Sequence, residues 1–278
     1  MQLRIVHTTG YTYDARVGAS FNEARLTPQT STGQIVSYDR VEVSPKPWVY
    51  TYRDYWGTAV TAFEVFDPHD SLTVTATATV HTDRAPAPGP TLTWTDLADP
   101  DLLDEHTEYL TVPARVEPPT DLVQRCRELV GTQAPSAVAR AVCDLVHDEI
   151  EYVSGSTDVA TSAADAWTRR SGVCQDIAHL VIGALRSLGI PARYVSGYLH
   201  PDAEAVVGES VRGESHAWVE WWDGQWVGFD PTNATGIDDH HVVVAAGRDY
   251  DDVRPLHGIF SGSGSSEMFV DVEITRVH

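Results

Sequence analysis

The run Ser171-Gly172-Val173-Cys174-Gln175-Asp176-Ile177-Ala178-His179-Leu180-Val181-Ile182-Gly183-Ala184-Leu185-Arg186-Ser187-Leu188-Gly189-Ile190-Pro191 places a cysteine at the start of a helix. Ile177, Leu180, Val181, Ala184, Leu185 and Leu188 fall at offsets 0, 3, 4, 7, 8 and 11, which is one apolar stripe of a helix. Gly189-Ile190-Pro191 ends it, because glycine suits the position after a helix and proline cannot continue one. The positive end of a helix stabilises negative charge, and the thiolate is the reactive form of cysteine. Unpaired backbone N–H groups at that end can also hold a developing oxyanion. A lone cysteine is more often a buried core residue, so the catalytic reading of Cys174 requires a base.

The base comes from Glu214-Ser215-His216-Ala217-Trp218-Val219-Glu220-Trp221-Trp222-Asp223-Gly224-Gln225-Trp226-Val227-Gly228-Phe229-Asp230-Pro231-Thr232. Two alternating runs flank Asp223-Gly224, a hairpin signal. A two-residue turn pairing Trp222 with Gln225 mixes polar and apolar residues on each face. A three-residue loop pairing Trp221 with Gln225, with Gly224 left-handed, sets Ala217 against Phe229 and Val219 against Val227. This second register predicts His216 directly opposite Asp230, with Cβ atoms about 5 Å apart. The residue types then form a nucleophile, a base and a group that orients the base: Cys174, His216 and Asp230.

Outward from this segment, residues 118–130 and 136–150 read as helices, the second capped by Ser136. Cys126 and Cys143 sit in their amphipathic patterns as small core residues. Residues 3–82 carry short alternating runs broken by Pro, Gly and Asp, which predicts an antiparallel sandwich or small barrel. Arg84-Ala85-Pro86-Ala87-Pro88-Gly89-Pro90 is the expected break. The expected division is a β-rich domain at 1–84, a connector at 85–117 and a catalytic core at 118–278.

The 278 residues carry 19 Lys and Arg against 40 Asp and Glu, a formal charge of −21. That surface repels phosphate backbones and anionic lipid, so neither nucleic acid nor membrane is an expected partner. Three cysteines without metal-type spacing fit a reducing compartment. With no signal-like apolar run at the start and no membrane-length apolar stretch, the expectation is a cytoplasmic protein. The sequence sets no oligomeric state.

Ser171-Gly172-Val173-Cys174-Gln175-Asp176, Leu188-Gly189-Ile190-Pro191-Ala192-Arg193-Tyr194, His216-Ala217-Trp218-Val219-Glu220 and Trp226-Val227-Gly228-Phe229-Asp230-Pro231-Thr232-Asn233 together resemble the bacterial transglutaminase-like superfamily over roughly 120–278. The start, with Glu23-Ala24-Arg25-Leu26-Thr27-Pro28, resembles the β-rich region that precedes this core in bacterial members. Gly57-Thr58 departs from the Gly-Asn usual there. The resemblance implies an α+β fold: a sandwich-like N-terminal domain, then a papain-like core whose nucleophile helix packs on an antiparallel sheet. It implies Cys174 as nucleophile, His216 as base and then acid, Asp230 as orienter, no metal and no cofactor. The implied substrate is a peptide or protein, by hydrolysis or by transamidation. An idle peptide-binding module is the rival reading, and the intact triad argues against it.

Other residues read as supporting. Asp176 stabilises the helix start, and His179 is a core group beside the site. Asp238-Asp239-His240-His241 is an unpromising metal site, because adjacent strand residues face opposite ways. Trp218, Trp221, Trp222 and Trp226 either line a cleft or pack the hairpin.

Overall fold

A computed structural model describes residues 1–85, 89, 91–202, 204–213 and 215–278. Pro86, Ala87, Pro88 and Pro90 of the expected break, and Glu214 of the hairpin, lie outside the described residues. The architecture is mixed, with antiparallel sheets around a helical core, as the sequence predicts.

The N-terminal alternation builds a sandwich. In the strand His69–Thr82, Leu72, Val74, Ala76, Ala78 and Val80 all point inward, while the residues between them are more exposed. This strand pairs antiparallel with Gln2–Val17 and Gln34–Ser44. A second sheet runs in the order Leu256–Ser261, Ala19–Ala24, Ala59–Val65, Trp48–Arg53. Tyr13, Val17, Phe63, Val65, Leu72, Val74 and Leu256 close the apolar layer between the two sheets.

The division by chain position needs correction. Ser266–Arg276 pairs with Gln2–Val17 along its length, Leu3 opposite Arg276 and Tyr13 opposite Ser266. Leu256–Ser261 pairs with Ala19–Ala24, and Ser210–Gly213 lies on the outer side of Ser266–Arg276. The C-terminal segment therefore completes the N-terminal sheets and does not belong to a core spanning 118–278. Nor is the N-terminal layer separate in packing. Leu3, Ile5, Ala78, Val80, Val272 and Ile274 share one apolar cluster with Val142, Ile177 and Leu180 of the helices. Gln34 bridges the same boundary like a short strand: its amide donates to the Val243 carbonyl and accepts from the Val243 N–H, both at 2.8 Å.

The core sheet runs Thr235–Gly236, Trp226–Asp230, Ser215–Trp222, Ala192–Leu199, His241–Gly247. The helix Cys174–Ser187 packs on it and is buried on all sides from Gln175 to Arg186, the apolar stripe of Ile177, Leu180, Val181, Ala184 and Leu185 included. Thr120–Val130 and Pro135–Glu149 are helical as expected, with Cys126 and Cys143 fully buried in them. Ser136, expected as a cap, is inside the second helix, which starts at Pro135. Its hydroxyl instead accepts the Trp221 indole N–H at 2.9 Å.

Candidate active site

Cys174 is the first residue of its helix, preceded by Val173 in extended conformation. The helix start is built by Asp176, whose Oδ2 accepts the Val173 N–H at 2.9 Å and the Thr157 hydroxyl at 2.6 Å. Gly172 makes room for that carboxylate, since a Cβ there would sit 2.8 Å from the Asp176 Cβ. Asp176 therefore shapes the turn that carries Cys174, the supporting role expected of it. His179 is also a supporting group. It is fully buried, its Nε2 accepts the Tyr250 N–H at 3.2 Å, and burial followed by the Arg115 charge lowers its imidazole to about 3.

The structure brings Cys174, His216 and Asp230 together. His216 Nε2 donates to Asp230 Oδ2 at 2.7 Å, because a carboxylate can only accept. The Cys174 side chain lies beside the same ring, close enough to raise its imidazole. With Nε2 taken by Asp230, the nitrogen left for the sulfur is Nδ1. Asp230 is fully buried, at the end of Trp226–Asp230.

Hairpin register differs from the sequence expectation by two residues. Val219 pairs with Phe229, Trp221 with Val227 and Trp222 with Trp226, so the loop is Asp223-Gly224-Gln225. Gly224 has φ of 78°, left-handed as expected. His216 and Asp230 are therefore diagonal and not directly opposed; the ladder partner of His216 is Gly197 on the neighbouring strand. The physical cause lies outside the hairpin. Asp223 is buried, and its carboxylate accepts the Thr91 and Leu92 N–H groups at 3.1 and 2.8 Å. Thr91 also donates its hydroxyl to the Asp223 carbonyl. These bonds draw Asp223 into the loop. A shift of two preserves which face each residue occupies, so Ala217, Val219, Trp221, Val227 and Phe229 still form the buried apolar face.

The electrostatics suit an ion pair. Burial alone would lower the His216 imidazole, but the Asp230 hydrogen bond, the Cys174 contact and both charges outweigh it and raise it to about 10. Burial pushes Asp230 the other way, yet hydrogen bonds from His216 and His241 and the His216 charge hold it well below the usual carboxylate range. Backbone N–H groups of Thr232 and Asn233 reach its Oδ1 at 2.9 and 3.3 Å, and the Asn233 amide reaches Oδ2 at 2.8 Å.

Sequence reasoning passed over His241. Its Nε2 lies 3.5 Å from Asp230 Oδ2 and its Nδ1 2.9 Å from Asp238 Oδ1, so this imidazole is held between two carboxylates. The signal was the three-residue spacing of Asp238 and His241. None of the four hairpin tryptophans lines the cleft at Cys174. Trp218 is fully buried, edge-on to His241 with centroids 5.4 Å apart. Trp222 and Trp226 pack on His106. The aromatic side chains that do line the cleft include Tyr194 and Tyr250. Cys174 and His216 both border two recesses, of about 320 and 480 Å³.

Two family models cover most of these elements. The bacterial transglutaminase-like N-terminal region matches residues 3–81, and the transglutaminase-like superfamily matches residues 123–231. The chain belongs to the transglutaminase-like superfamily. An uncharacterised Mycobacterium leprae protein is 44% identical to this transglutaminase-like chain over 276 residues, 99% of each. An uncharacterised Mycobacterium tuberculosis protein is 34% identical over 302 residues, covering 98% of this chain and 91% of the relative. Among solved structures, a candidate cysteine protease from Cytophaga hutchinsonii superposes with a TM-score of 0.77 at 25% identity, covering 98% of this chain and 90% of that one. A protein-glutamine gamma-glutamyltransferase from Pseudomonas aeruginosa is 31% identical over 108 residues, 36% of this chain and 16% of that protein.

Proposed function

We propose that this transglutaminase-like protein is a cysteine-dependent acyl-transfer enzyme that cleaves peptide or amide bonds through a thioester on Cys174. The observation that carries the proposal is the His216 ring, bonded through Nε2 to Asp230 at 2.7 Å, with Cys174 beside it at a helix N-terminus. In this reading the raised imidazole takes the thiol proton and leaves a thiolate to attack the carbonyl carbon. The C–N bond then breaks, and the leaving amine takes its proton from Nδ1. Asp230 keeps Nε2 protonated and offsets the imidazolium charge. The N–H groups of the helix start stabilise the oxyanion, together with the buried Gln175 amide, whose Nε2 has no protein partner among the described residues.

Water resolves the thioester in the first reading, with His216 now accepting the water proton. An amine resolves it in the second, which the similarity to a gamma-glutamyltransferase favours over part of the core. A peptide or protein is the proposed substrate, with neither nucleic acid nor membrane as partner. Three free cysteines support a reducing, cytoplasmic setting, and among the described residues no helix is long and apolar enough to cross a membrane. The test is turnover of peptide and amide libraries with a Cys174→Ala control and added amine. Loss of turnover in the variant supports the reading, and capture by amine faster than by water selects transamidation. Turnover that survives Cys174→Ala refutes both.

A further inference from the structure

The two recesses at the Cys174–His216 pair differ in chemistry. The one of about 480 Å³ is lined by Arg212, Thr232 and Asn233 among others, so it brings polar groups up to the Asp230 side of the imidazole. The one of about 320 Å³ has no Asp, Glu, Lys or Arg in its lining among the described residues. Neither recess carries an Asp or Glu among the described residues, so the charge that separates them is the Arg212 guanidinium on the larger one.

Part of the smaller recess's wall comes from the N-terminal sheet. Along one face of Gln2–Val17 and its neighbour Ser266–Arg276, Leu3, Ile5, Val272 and Ile274 are buried in the common core. The same face continues in steps of two to His7, Thr9, Val270 and Met268, with His7 paired to Val272 and Thr9 to Val270. His7, Thr9, Val270 and Met268 all line the 320 Å³ recess beside Cys174. The face thus serves as packing surface at one end and as cleft wall at the other. His7 Nδ1 is tied to the Tyr198 hydroxyl at 3.0 Å, which fixes the strand against the core. Burial lowers the His7 imidazole to about 4, so it is neutral at physiological pH. His7 Nε2 and Gln175 Nε2 are buried without partners among the described residues, so away from the Cys174–His216 pair these free polar groups of the recess are uncharged.

Deacylation requires a water or amine that reaches His216, and the polar recess provides that approach. The acyl group stays on sulfur while this happens and needs the other side. Resting on the triad reading above, we propose that the 320 Å³ recess holds the acyl group and that the N-terminal sheet, through Thr9, Met268 and Val270, selects substrates whose acyl-side residue is uncharged and mainly apolar. A carboxylate or ammonium there would be desolvated with no partner, which costs several kcal/mol.

The test uses p-nitrophenyl esters of N-acetyl-leucine, N-acetyl-glutamate and N-acetyl-lysine. Acylation rates are normalised to the iodoacetamide rate at Cys174 of each variant, because iodoacetamide is too small to need the recess. Wild type is expected to prefer the leucine ester over both charged esters by roughly 100-fold. Val270 and Met268 are about half exposed, at 52% and 45%, so lysine is tolerable at either position. Val270→Lys and Met268→Lys should each raise the glutamate-to-leucine ratio by roughly tenfold or more, through the new charge pair. Fast alkylation of Cys174 with a leucine preference under threefold, or with a ratio unmoved in both variants, overturns this inference and leaves the triad standing. Slow alkylation of Cys174 overturns the triad reading and the inference together.

Discussion

Replacing Asp230 by asparagine isolates the role of its charge, and the structure fixes how the new amide must sit. Oδ1 of Asp230 accepts two backbone N–H groups, from Thr232 and Asn233. Those donors cannot turn into acceptors, so the asparagine oxygen takes the Oδ1 position. Its NH2 then occupies the Oδ2 position, facing His216 Nε2 at 2.7 Å and the Asn233 amide at 2.8 Å. The Asn233 amide can flip. His216 can satisfy the new donor only by giving up the proton on Nε2, which moves to Nδ1 and faces the sulfur. A ring in that tautomer cannot accept the thiol proton. The expected loss is about 10⁴-fold in kcat, the scale known for the wrong tautomer in a triad, or about 5.5 kcal/mol at 1.36 kcal/mol per decade. Burial, which opposes protonation of His216, then acts without the carboxylate, so the imidazole falls from its raised value. Acylation by the leucine ester, iodoacetamide rate against pH, and circular dichroism measure these effects together. A folded Asp230→Asn protein that retains more than about a tenth of wild-type acylation refutes the reasoning.

Cys174 should alkylate in the native protein roughly 100-fold faster at neutral pH than Cys126 or Cys143, as mapped by peptide mass spectrometry. Burial pushes the Cys126 thiol up to about 12 and Cys143 well above its ordinary value, so equal rates would contradict the assignment. His216 is raised in the folded state, so its contribution to stability is full below its ordinary value of 6.5 and is lost as pH rises towards about 10. The difference in urea midpoint between wild type and His216→Gln should therefore change across pH 6.5–10, wild type losing its advantage on the alkaline side; a constant difference would count against the raised imidazole. Gly197→Ala should cost about 3 kcal/mol by overpacking, because its Cβ would lie 2.0 Å from the Val242 carbonyl oxygen and 2.6 Å from the Trp218 ring. Gly224→Val should cost about 2 kcal/mol from the left-handed backbone alone, and thermal melts of both variants check these values.

The parts of the molecule that local pattern specifies were legible in the sequence. The apolar stripe from Ile177 to Leu185 faces the core, and Cys174 opens that helix because Gly172 and Asp176 shape its first turn. The hairpin faces were readable for the same reason, since alternation assigns each side chain to a face. The register was not, because a shift of two leaves every face unchanged and the choice was made by Asp223 bonding to Thr91 and Leu92, over 130 residues away in the chain. The strands Leu256–Ser261 and Ser266–Arg276 were missed as members of the N-terminal sheets for a related reason. Strand periodicity says which face is buried and nothing about which strand lies alongside. The opposite facing of His240 and His241 argued against a shared metal, but it did not reveal that the buried one, His241, reaches Asp230.

The most direct test of the central claim is an acid-quenched mass spectrum of the protein during turnover of a peptide or amide substrate, with the modified peptide mapped after digestion. A thioester adduct is expected on the peptide that contains Cys174, absent in Cys174→Ala and decaying faster when amine is added if transamidation operates. Turnover with the adduct on another residue, or turnover undiminished in Cys174→Ala, would contradict it.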